Sequence, residues 1–301
     1  MSQGKIAHMP YVLITPARNE AGFIEKTIES MIDQTVLPVK WVIVNDGSTD
    51  DTGNIVKRYL PTHGWMELVE LPQRKDRSFS KKVHSFNAGY DKVKGVEYKI
   101  IGNLDADISF DKDYFEFLLG KFSEVPEIGV AGTGYTEDGR VAKYSYKDVA
   151  GQCQIFKREC FEDIGGYFPS KYGGVDWIAV RTARMKGWKT RTFSEKSFVH
   201  HRLMGTAEST QLQSKIHYGK KDYFLGNHPL WECFRVMYQM TQRPYVIGGL
   251  LLLCGYVWAF LVRMPRPISR EVIDFNRKEQ LERIKLTLRG LLKCKMKAFE
   301  T

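Results

Sequence analysis

Short apolar runs alternate with helix-like segments over about the first hundred residues of the chain. The runs lie at residues 11–15, 41–44, 66–71 and 98–101, and the first is β-branched and unbroken, as in a buried parallel strand. This alternation predicts an α/β fold with a mostly parallel sheet and right-handed crossover helices. The first intervening helix has an apolar face formed by Ile24, Ile28, Met31 and Ile32. A second helix is predicted over about 49–59, and a third runs through Val83, Phe86 and Tyr90.

The remainder of the chain follows two other patterns. Residues 108–227 begin irregularly and are rich in glycine, which indicates a mixed α+β half packed on the same sheet. From about residue 208 the pattern is helical to the end. We therefore predict an α/β domain over residues 1–227, whose first half spans about 10–107, followed by a helical region over 228–301.

Charge is distributed unevenly. Hydrophobic residues make up 43% and charged residues 27% of the 301 positions, which excludes disordered and collagen-like chains. The net charge of +10 fits an anionic partner, either nucleic acid, a lipid surface or a polyanionic substrate. Residues 263–301 hold 11 basic and 5 acidic residues, so more than half of the excess lies directly after the long uncharged apolar run at 245–262.

The cysteines and the N-terminus bear on the cellular compartment. Five cysteines without a Cys-x-x-Cys pair argue against a disulfide framework and against a zinc ribbon. Residues 1–10 contain no apolar segment typical of a secretory signal. We therefore expect the protein in a reducing, cytoplasmic compartment.

Acidic side chains follow three of the predicted strands. The segments TPARNE (15–20), NDGSTD (45–50) and NLDAD (103–107) come at the carboxyl ends of strands that would lie side by side. Each alone is compatible with a turn or a helix N-cap. Together they bring five carboxylates to the edge where open α/β sheets bind ligands. Because like charges at close range repel, a divalent cation, Mg²⁺ or Mn²⁺, is the expected counter-charge.

These segments resemble the nucleotide-sugar half of family 2 glycosyltransferases, which are inverting enzymes of the GT-A fold. The similarity continues with NAG (87–89), with IFKR (155–158) followed by IGG (164–166), and with GGVDW (173–177). It covers roughly residues 10–205. The resemblance implies a GT-A fold, a nucleotide-sugar donor, a glycan or lipid-linked acceptor and a divalent metal.

The resemblance also implies a nucleoside pocket. Its lining would come from the backbone of Pro16, Ala17 and Arg18. Glu20 would line the same pocket. Asp46 would accept a hydrogen bond from the base, most often uracil in this family.

The DAD segment, a DxD pattern, would lie against the donor's diphosphate. Asp105, with Ala106 beside it, would contact the ribose or the diphosphate, and Asp107 would coordinate a metal that bridges the two phosphates. Some members of the family place a third metal ligand in a Val-His segment. Here His200 is preferred and His201 is the alternative, because neighbours on a strand point to opposite faces.

Basic residues are candidate contacts to the donor. Arg202 could stabilise the departing diphosphate. The loop RKDR (74–77) precedes Lys81 and Lys82. Among these basic residues Arg77 and Lys81 are the first candidates for a phosphate or base contact. The alternative is that these residues form a solvated surface.

An inverting transfer needs a base that takes the proton of the acceptor hydroxyl. The family supplies it from a Glu-Asp pair after a glycine-rich turn, and here Gly173 and Gly174 are followed by Val175 and Asp176. Asp176 is therefore the candidate base. The alternative is that Asp176 only caps the helix that begins at this point.

The apolar run at 245–262 has 18 uncharged residues, about 27 Å as a helix, which is slightly short of a ~30 Å hydrocarbon core. A transmembrane helix, a helix in one leaflet and a buried core helix are all compatible with it. A single crossing would put the basic segment outside the cell, so we favour a monotopic or re-entrant attachment with that segment on anionic headgroups. The segment itself has an amphipathic pattern: Val272, Ile273, Phe275, Leu281, Ile284, Leu288 and Leu291.

We therefore expect an inverting, metal-dependent glycosyltransferase in cell-surface glycan synthesis at the inner face of a bacterial cytoplasmic membrane. Its donor would be a nucleoside diphosphate sugar, with uridine preferred, and its acceptor a hydroxyl of a lipid-linked or polysaccharide molecule. A polyprenyl-phosphate sugar synthase, which needs no hydroxyl base, is the enzyme alternative. A non-catalytic basic adaptor for membranes or nucleic acid is the alternative from another class. The acidic strand ends oppose specific nucleic-acid binding in the cleft.

Overall fold

The computed structural model describes residues 9–73, 79–142, 145–202, 211–266 and 268–299. Within these ranges the side chains of 79–81, 211 and 291–299 are not described.

The chain divides into two compact units, Met1–Leu203 and Met204–Thr301. The division comes earlier than the boundary predicted at 227. The reason is that helix α7 (Gln211–Phe224) packs closely on helix α9 (Ile247–Leu261) within the second unit.

The first unit is built on one mixed β-sheet. Its strands are β1 (Tyr11–Ala17), β2 (Lys40–Asp46), β3 (Met66–Leu71), β4 (Ile100–Leu104), β5 (Ile108–Ser109), β6 (Ile128–Glu137), β7 (Arg140–Val141), β8 (Cys153–Lys157) and β9 (Lys189–His200). In the described part of the chain they run in the order β3-β2-β1-β4-β8-β6-β9-β5, and β7 pairs with β6. Strands β1 to β4 are parallel, whereas β8 is antiparallel to both of its neighbours.

Helices cover both faces of this sheet. They are α1 (Ile24–Ile32), α2 (Thr52–Tyr59), α3 (Phe79–Val93), α4 (Tyr114–Glu124), α5 (Arg158–Asp163) and α6 (Val175–Met185). The alternation of side chains along β1 sends Leu13 into a core with α1 and α4, and Val12 and Ile14 into a second core with α3, α5 and α6. The predicted α/β fold and the order of its first four strands and three helices are confirmed.

Two strands extend beyond their apolar runs into polar residues. In β2 the parallel ladder continues through Asn45, paired with Ala17, and Asp46, paired with Leu71. In β4 the ladder includes Asn103, which is buried. Backbone pairing with neighbouring strands, rather than apolar side chains, keeps these residues in the sheet. The extension brings polar groups into a buried position at the carboxyl edge.

The second unit is helical, as the pattern from residue 208 predicts. Glycines on α7 and α9 allow close backbone contact, because a Cβ at Gly219 would meet the backbone of Leu252 and a Cβ at Gly255 that of Ile216. No helix among the described residues combines the length and apolar composition needed to cross a membrane. Besides α7 and α9, the unit contains α8 (Pro229–Met240) and α10 (Arg270–Phe299).

Candidate active site

Hydrogen bonds join the loops that follow β1 and β2. The backbone N–H of Asn19 donates to Ser48 Oγ at 3.0 Å, and the N–H of Thr49 donates to Asn19 Oδ1 at 2.8 Å. The N–H of Ala21 donates to Asp50 Oδ2 at 3.0 Å. Asp50, one of the five strand-end carboxylates, therefore holds the two loops together.

Asp46 ends β2 with an unsatisfied oxygen. Its side chain is buried, and in the part of the chain that the structure describes its Oδ1 has no hydrogen-bond partner. Gly47 follows with a φ of 62°, and a Cβ there would lie 2.6 Å from Gln73 Cα, so the turn requires glycine. A buried polar atom without a partner costs about 1–3 kcal/mol. Asp46 is thus positioned to accept a hydrogen bond from a ligand.

Asp105 follows β4 and is held by two donors. The Lys82 ammonium lies 2.5 Å from its Oδ1, and Asn103 Nδ2 donates to the same oxygen at 3.1 Å. Asn103 Nδ2 also donates to the carbonyl of Gly151 at 2.7 Å. Burial raises the pKa of Asp105, and the charge of Lys82 only partly opposes this effect.

Lys82 faces more than one carboxylate. Desolvation would lower the pKa of its ammonium, but the nearby charges of Asp105, Asp176 and Asp107 raise it. Its side chain is 42% exposed, so a ligand could reach it. Lys82 is therefore a cation beside the carboxylates at the rim of the sheet.

Asp107 lies between a histidine and an arginine. His200 Nε2 and Arg202 Nε are each 3.5 Å from Asp107 Oδ2, and Arg202 also contacts Glu20. On its other side His200 has Nδ1 3.5 Å from Glu137 Oε1. Burial would raise the pKa of Asp107, but the hydrogen bond and charge of His200 and the charge of Arg202 lower it. Burial would lower the pKa of His200, but Asp107 and then Glu137 raise it.

The two adjacent histidines have different surroundings. His200 is buried and faces Asp107, whereas His201 is half-buried, with Nε2 2.8 Å from Ser109 Oγ and its ring stacked on Phe23. The expected divergence of neighbours at a strand end is therefore present. Of the pair, His200 is the one beside the DAD carboxylate.

Asp176 lies in the first turn of α6. The N-cap of this helix is Gly174, with a φ of 77°, so Asp176 is not the capping residue. A Cβ at Gly151 would lie 2.8 Å from Asp176 Oδ2, so the Asp176 side chain packs against Gly151 at a distance that only glycine allows. Because the carbonyl of Gly151 accepts from Asn103, the same loop residue lies beside both Asp176 and the Asp105 cluster.

The donor atoms fit a shared metal site rather than a complete protein cage. No group of three or more His, Cys, Asp or Glu side chains is arranged to hold a metal within the described ranges. Asp107 Oδ2 and His200 Nε2 are 3.5 Å apart, close to the ~3 Å between adjacent ligands of an octahedral Mg²⁺. These two residues could hold an ion whose other ligands are donor phosphates and water, as Mg²⁺ sites commonly do.

Other predicted residues have different positions. The side chain of Ala106 is buried in the core, so only its backbone could face a ligand. Ala17 is likewise buried, whereas Pro16 and Arg18 are half-buried. Arg77 and the side chain of Lys81 lie outside the described residues.

Sequence reasoning counted Lys82 among the basic residues that could reach the donor but preferred Arg77 and Lys81, and it did not include Glu137. A signal for Lys82 was present, because it lies one helical turn before the buried Phe86 of α3 and thus on the face turned to the sheet. Glu137 had no such signal, since its position beside His200 comes from the pairing of β6 with β9.

Comparison with known proteins identifies the family of this chain. The family model for glycosyl transferase family 2 matches residues 12–176, more than half of the chain. The chain belongs to glycosyl transferase family 2. The matched segment runs from β1 to Asp176 and so includes every described residue of the site except His200, Arg202 and their immediate neighbours.

Curated relatives in this family are longer proteins. A chondroitin synthase of Pasteurella multocida is 31% identical over 118 residues, which are 39% of this chain and 11% of that protein. A 4,4'-diaponeurosporenoate glycosyltransferase of Staphylococcus aureus is 33% identical over 124 residues, 41% of this chain and 31% of that protein. The chain therefore aligns with less than a third of the length of either relative.

Solved structures of similar fold include those of two further proteins. TarS 1–349 of S. aureus in complex with UDP-GlcNAc has a TM-score of 0.56 at 14% identity, covering 89% of this chain and 79% of that one. The mannosyltransferase PcManGT of Pyrobaculum calidifontis, in complex with GDP-Man and Mn²⁺, has a TM-score of 0.55 at 18% identity, covering 97% and 81%. These similarities confirm the predicted GT-A fold.

Proposed function

We propose that the first unit transfers a sugar from a nucleoside diphosphate donor to an acceptor hydroxyl with inversion at the anomeric carbon. The observation that carries this proposal is the grouping of Lys82, His200 and Arg202 around Asp105 and Asp107 at the carboxyl end of β4. Cations and carboxylates alternate there, as binding of a diphosphate with a metal requires. Family membership and the GT-A fold support the same reaction class.

Uridine is the nucleoside that we propose. Asp46 Oδ1, which has no hydrogen-bond partner among the described residues, would accept the imide N–H of uracil. Strand β1 separates Asp46 on β2 from Asp105 beyond β4, which places the two about 10 Å apart at ordinary strand spacing. That separation suits a nucleoside whose base lies at one end and whose diphosphate lies at the other. Glu20 and the backbone of residues 16–18 would line the space between them.

The diphosphate would lie against the grouped charges. Asp107 and His200 would hold Mg²⁺ or Mn²⁺, which when bound neutralises phosphate charge and makes the nucleoside diphosphate a better leaving group. Lys82 and Arg202 would bind phosphate oxygens and stabilise the charge that develops on them. Asp105 would keep Lys82 in position through the contact at Oδ1.

Asp176 would act as the general base. Its carboxylate takes the proton from the acceptor hydroxyl as the oxygen bonds to the anomeric carbon, and the bond from that carbon to the diphosphate breaks on the opposite face. The nucleoside diphosphate leaves with the electron pair, and the proton remains on Asp176. The close packing of Gly151 against the Asp176 side chain would hold this carboxylate in place.

We propose a lipid-linked or polysaccharide acceptor at the inner face of a bacterial cytoplasmic membrane. Chondroitin synthase, a relative named for a glycan product, supports the acceptor class. The basic C-terminal segment, with 11 basic and 5 acidic residues, supports the membrane location.

Thermal unfolding with a panel of nucleotide sugars and Mn²⁺ tests the donor. A ligand at 100 times its Kd stabilises by about 2.7 kcal/mol, which raises Tm by roughly 5–10 °C in a unit of this size. We expect this rise with UDP-sugars, and we expect Asp46→Asn to reduce it. Asp51→Asn, an exposed carboxylate of the adjacent turn, is the matched control. The absence of a shift with every uridine, guanosine and thymidine diphosphate sugar would contradict the proposed function.

A further inference from the structure

Helix α9 of the second unit is apolar on both of its faces. One face packs against α7 and α8 and consists largely of small residues: Gly248, Gly249, Leu252, Gly255, Tyr256 and Ala259. The opposite face is exposed, with Phe260 62% and Leu261 70% accessible to solvent. Its side chains are as apolar as those of a core: Leu250, Leu253, Cys254, Val257, Trp258, Phe260 and Leu261.

The neighbouring elements also expose apolar side chains. On α8 these include Leu230, Met237 and Tyr238, the segment between α8 and α9 exposes Tyr245 and Val246, and α9 itself begins with the exposed Ile247. We call these residues and the exposed face of α9 the apolar surface. Exposed apolar groups in this number on neighbouring elements are typical of a binding surface, because water solvates them poorly.

Positive charge lies at both ends of α9. Residues 233–270 contain no acidic residue and five arginines. Of these, Arg235 pairs with the buried Asp222, whereas Arg243 before α9 and Arg263 after it are exposed. Lys220 extends from α7 over the ring of Trp258, with its ammonium 4.2 Å from the ring centroid. The surface therefore combines apolar side chains with peripheral cations, which is the chemistry that complements anionic lipid headgroups above an acyl layer.

A second copy of the chain would be a poor occupant of this surface. The glycines that allow close helix–helix contact face inward against α7 and α8, and apart from Cys254 the outward face carries bulky side chains. Two copies would also bring their arginines together. Indole and phenol rings, here Trp258 and Tyr245, prefer the region between headgroups and acyl chains.

The length of α9 favours an orientation along the membrane. Its 15 residues extend about 22 Å, less than the ~30 Å hydrocarbon core of a bilayer. We propose that the apolar surface inserts into one leaflet with α9 parallel to the membrane plane, while Arg243 and Arg263 bind anionic headgroups at its two ends. This inference rests on the proposed membrane location and assigns the binding surface to particular residues.

Flotation of the full-length protein with vesicles tests the proposal. We expect the wild type to bind vesicles of phosphatidylcholine with 30% phosphatidylglycerol. The double variant Leu253→Asp with Leu261→Asp should lose at least about ten-fold in partition coefficient, because charged groups are expelled from the acyl region. The control is Leu37→Asp, which changes a leucine of the first unit whose exposure lies between those of Leu253 and Leu261, and this variant should bind as the wild type does. Arg243→Gln with Arg263→Gln should weaken binding to these vesicles and leave binding to pure phosphatidylcholine unchanged.

The donor-dependent rise in Tm, measured without lipid, separates this proposal from the proposed function. All the variants should retain that rise, since none of the changed residues lies at the donor site. Wild-type protein that fails to float while the donor response persists would overturn the lipid surface alone. Equal flotation of the leucine double variant and the wild type would also overturn it. So would a dimer in lipid-free solution that the double variant dissociates, because a second copy would then be the occupant.

Discussion

The ammonium of Lys82 lies 2.5 Å from Oδ1 of Asp105, joining helix α3 to the carboxyl end of β4. The pair places a positive charge where the proposed donor would carry its diphosphate. Since three carboxylates raise the pKa of Lys82, the ammonium remains charged at neutral pH. A bound diphosphate would share this cation with Asp105.

Lys82→Met should weaken donor binding about 10- to 100-fold, because a charged hydrogen bond contributes about 1.5–3 kcal/mol. The donor Kd from titration calorimetry is the measurement. Lys92→Met, another partly exposed lysine of α3, which lies 3.7 Å from Glu67, is the control and should leave the Kd unchanged. Equal affinities of the Lys82 variant and the wild type would show that Lys82 only neutralises Asp105.

Asp107→Asn and His200→Gln should each raise the Mn²⁺ concentration needed for donor-induced stabilisation by at least about ten-fold. Loss of a residue that only supports a metal ligand typically lowers the metal affinity about 10–100-fold. Loss of one of the two protein ligands should lower it at least as much. The measurement is the midpoint of the Tm rise as Mn²⁺ is titrated at fixed donor concentration. His201→Gln is the matched control, since His201 bonds Ser109 instead. A shift for His201→Gln with none for His200→Gln would reverse the assignment.

Asp176→Asn should lower kcat by about 10²- to 10⁴-fold, the usual contribution of a general base. The donor Kd should stay within two-fold, because the substitution keeps the shape of the side chain beside Gly151. Rates at saturating donor, together with donor titration, give both values. Asp163→Asn, an exposed carboxylate paired with Lys186, is the control. Full activity of the Asp176 variant would favour an acceptor that is already ionised, such as a polyprenyl phosphate.

Glu232 should make the second unit less stable as the pH rises. Burial, and then the charge of Asp222, raise the pKa of Glu232 to about 8 from an ordinary 4.5. The folded state therefore holds this proton more tightly than the unfolded state does. The resulting stabilisation is complete below pH 4.5 and is lost as the pH rises towards 8, by at most about 1.4 kcal/mol per pH unit.

Urea unfolding between pH 5 and 9 would measure this effect. The free energy of unfolding of Glu232→Gln, relative to the wild type, should increase with pH up to about 8 and stay constant above it. The comparison between pH values removes any constant cost of the buried amide. Glu282→Gln, an exposed residue of α10, should show no such trend. Parallel curves for Glu232→Gln and the wild type would contradict the raised pKa.

Much of the fold was predictable because its signals are local. Apolar runs and helix-face periodicity placed the first four strands and three helices, and the structure confirms their order. The exact ends of β2 and β4 were not predictable in this way. Asn45, Asp46 and Asn103 stay in the sheet through backbone pairing with neighbouring strands, which a single polar residue does not reveal.

The candidate site was predictable where strand ends supply its residues. Parallel strands end at one edge, so Asp46, Asp105 and Asp107 could be grouped from the sequence. Lys82 required the orientation of α3 against the sheet, and the exposure of the apolar face of α9 required the packing of the second unit. A run of 18 uncharged residues could not show which of its faces would be covered.

The sequence by itself determined the class of fold and the edge of the sheet at which acidic residues meet, because the succession of strands and helices along the chain follows from local patterns. Only the tertiary structure decided which cation faces each carboxylate. His200 meets Glu137 because β6 and β9 pair in a register that shifts between Thr133 and Gly134. Such a register depends on the twist and packing of the whole sheet, and nothing in either strand alone specifies it.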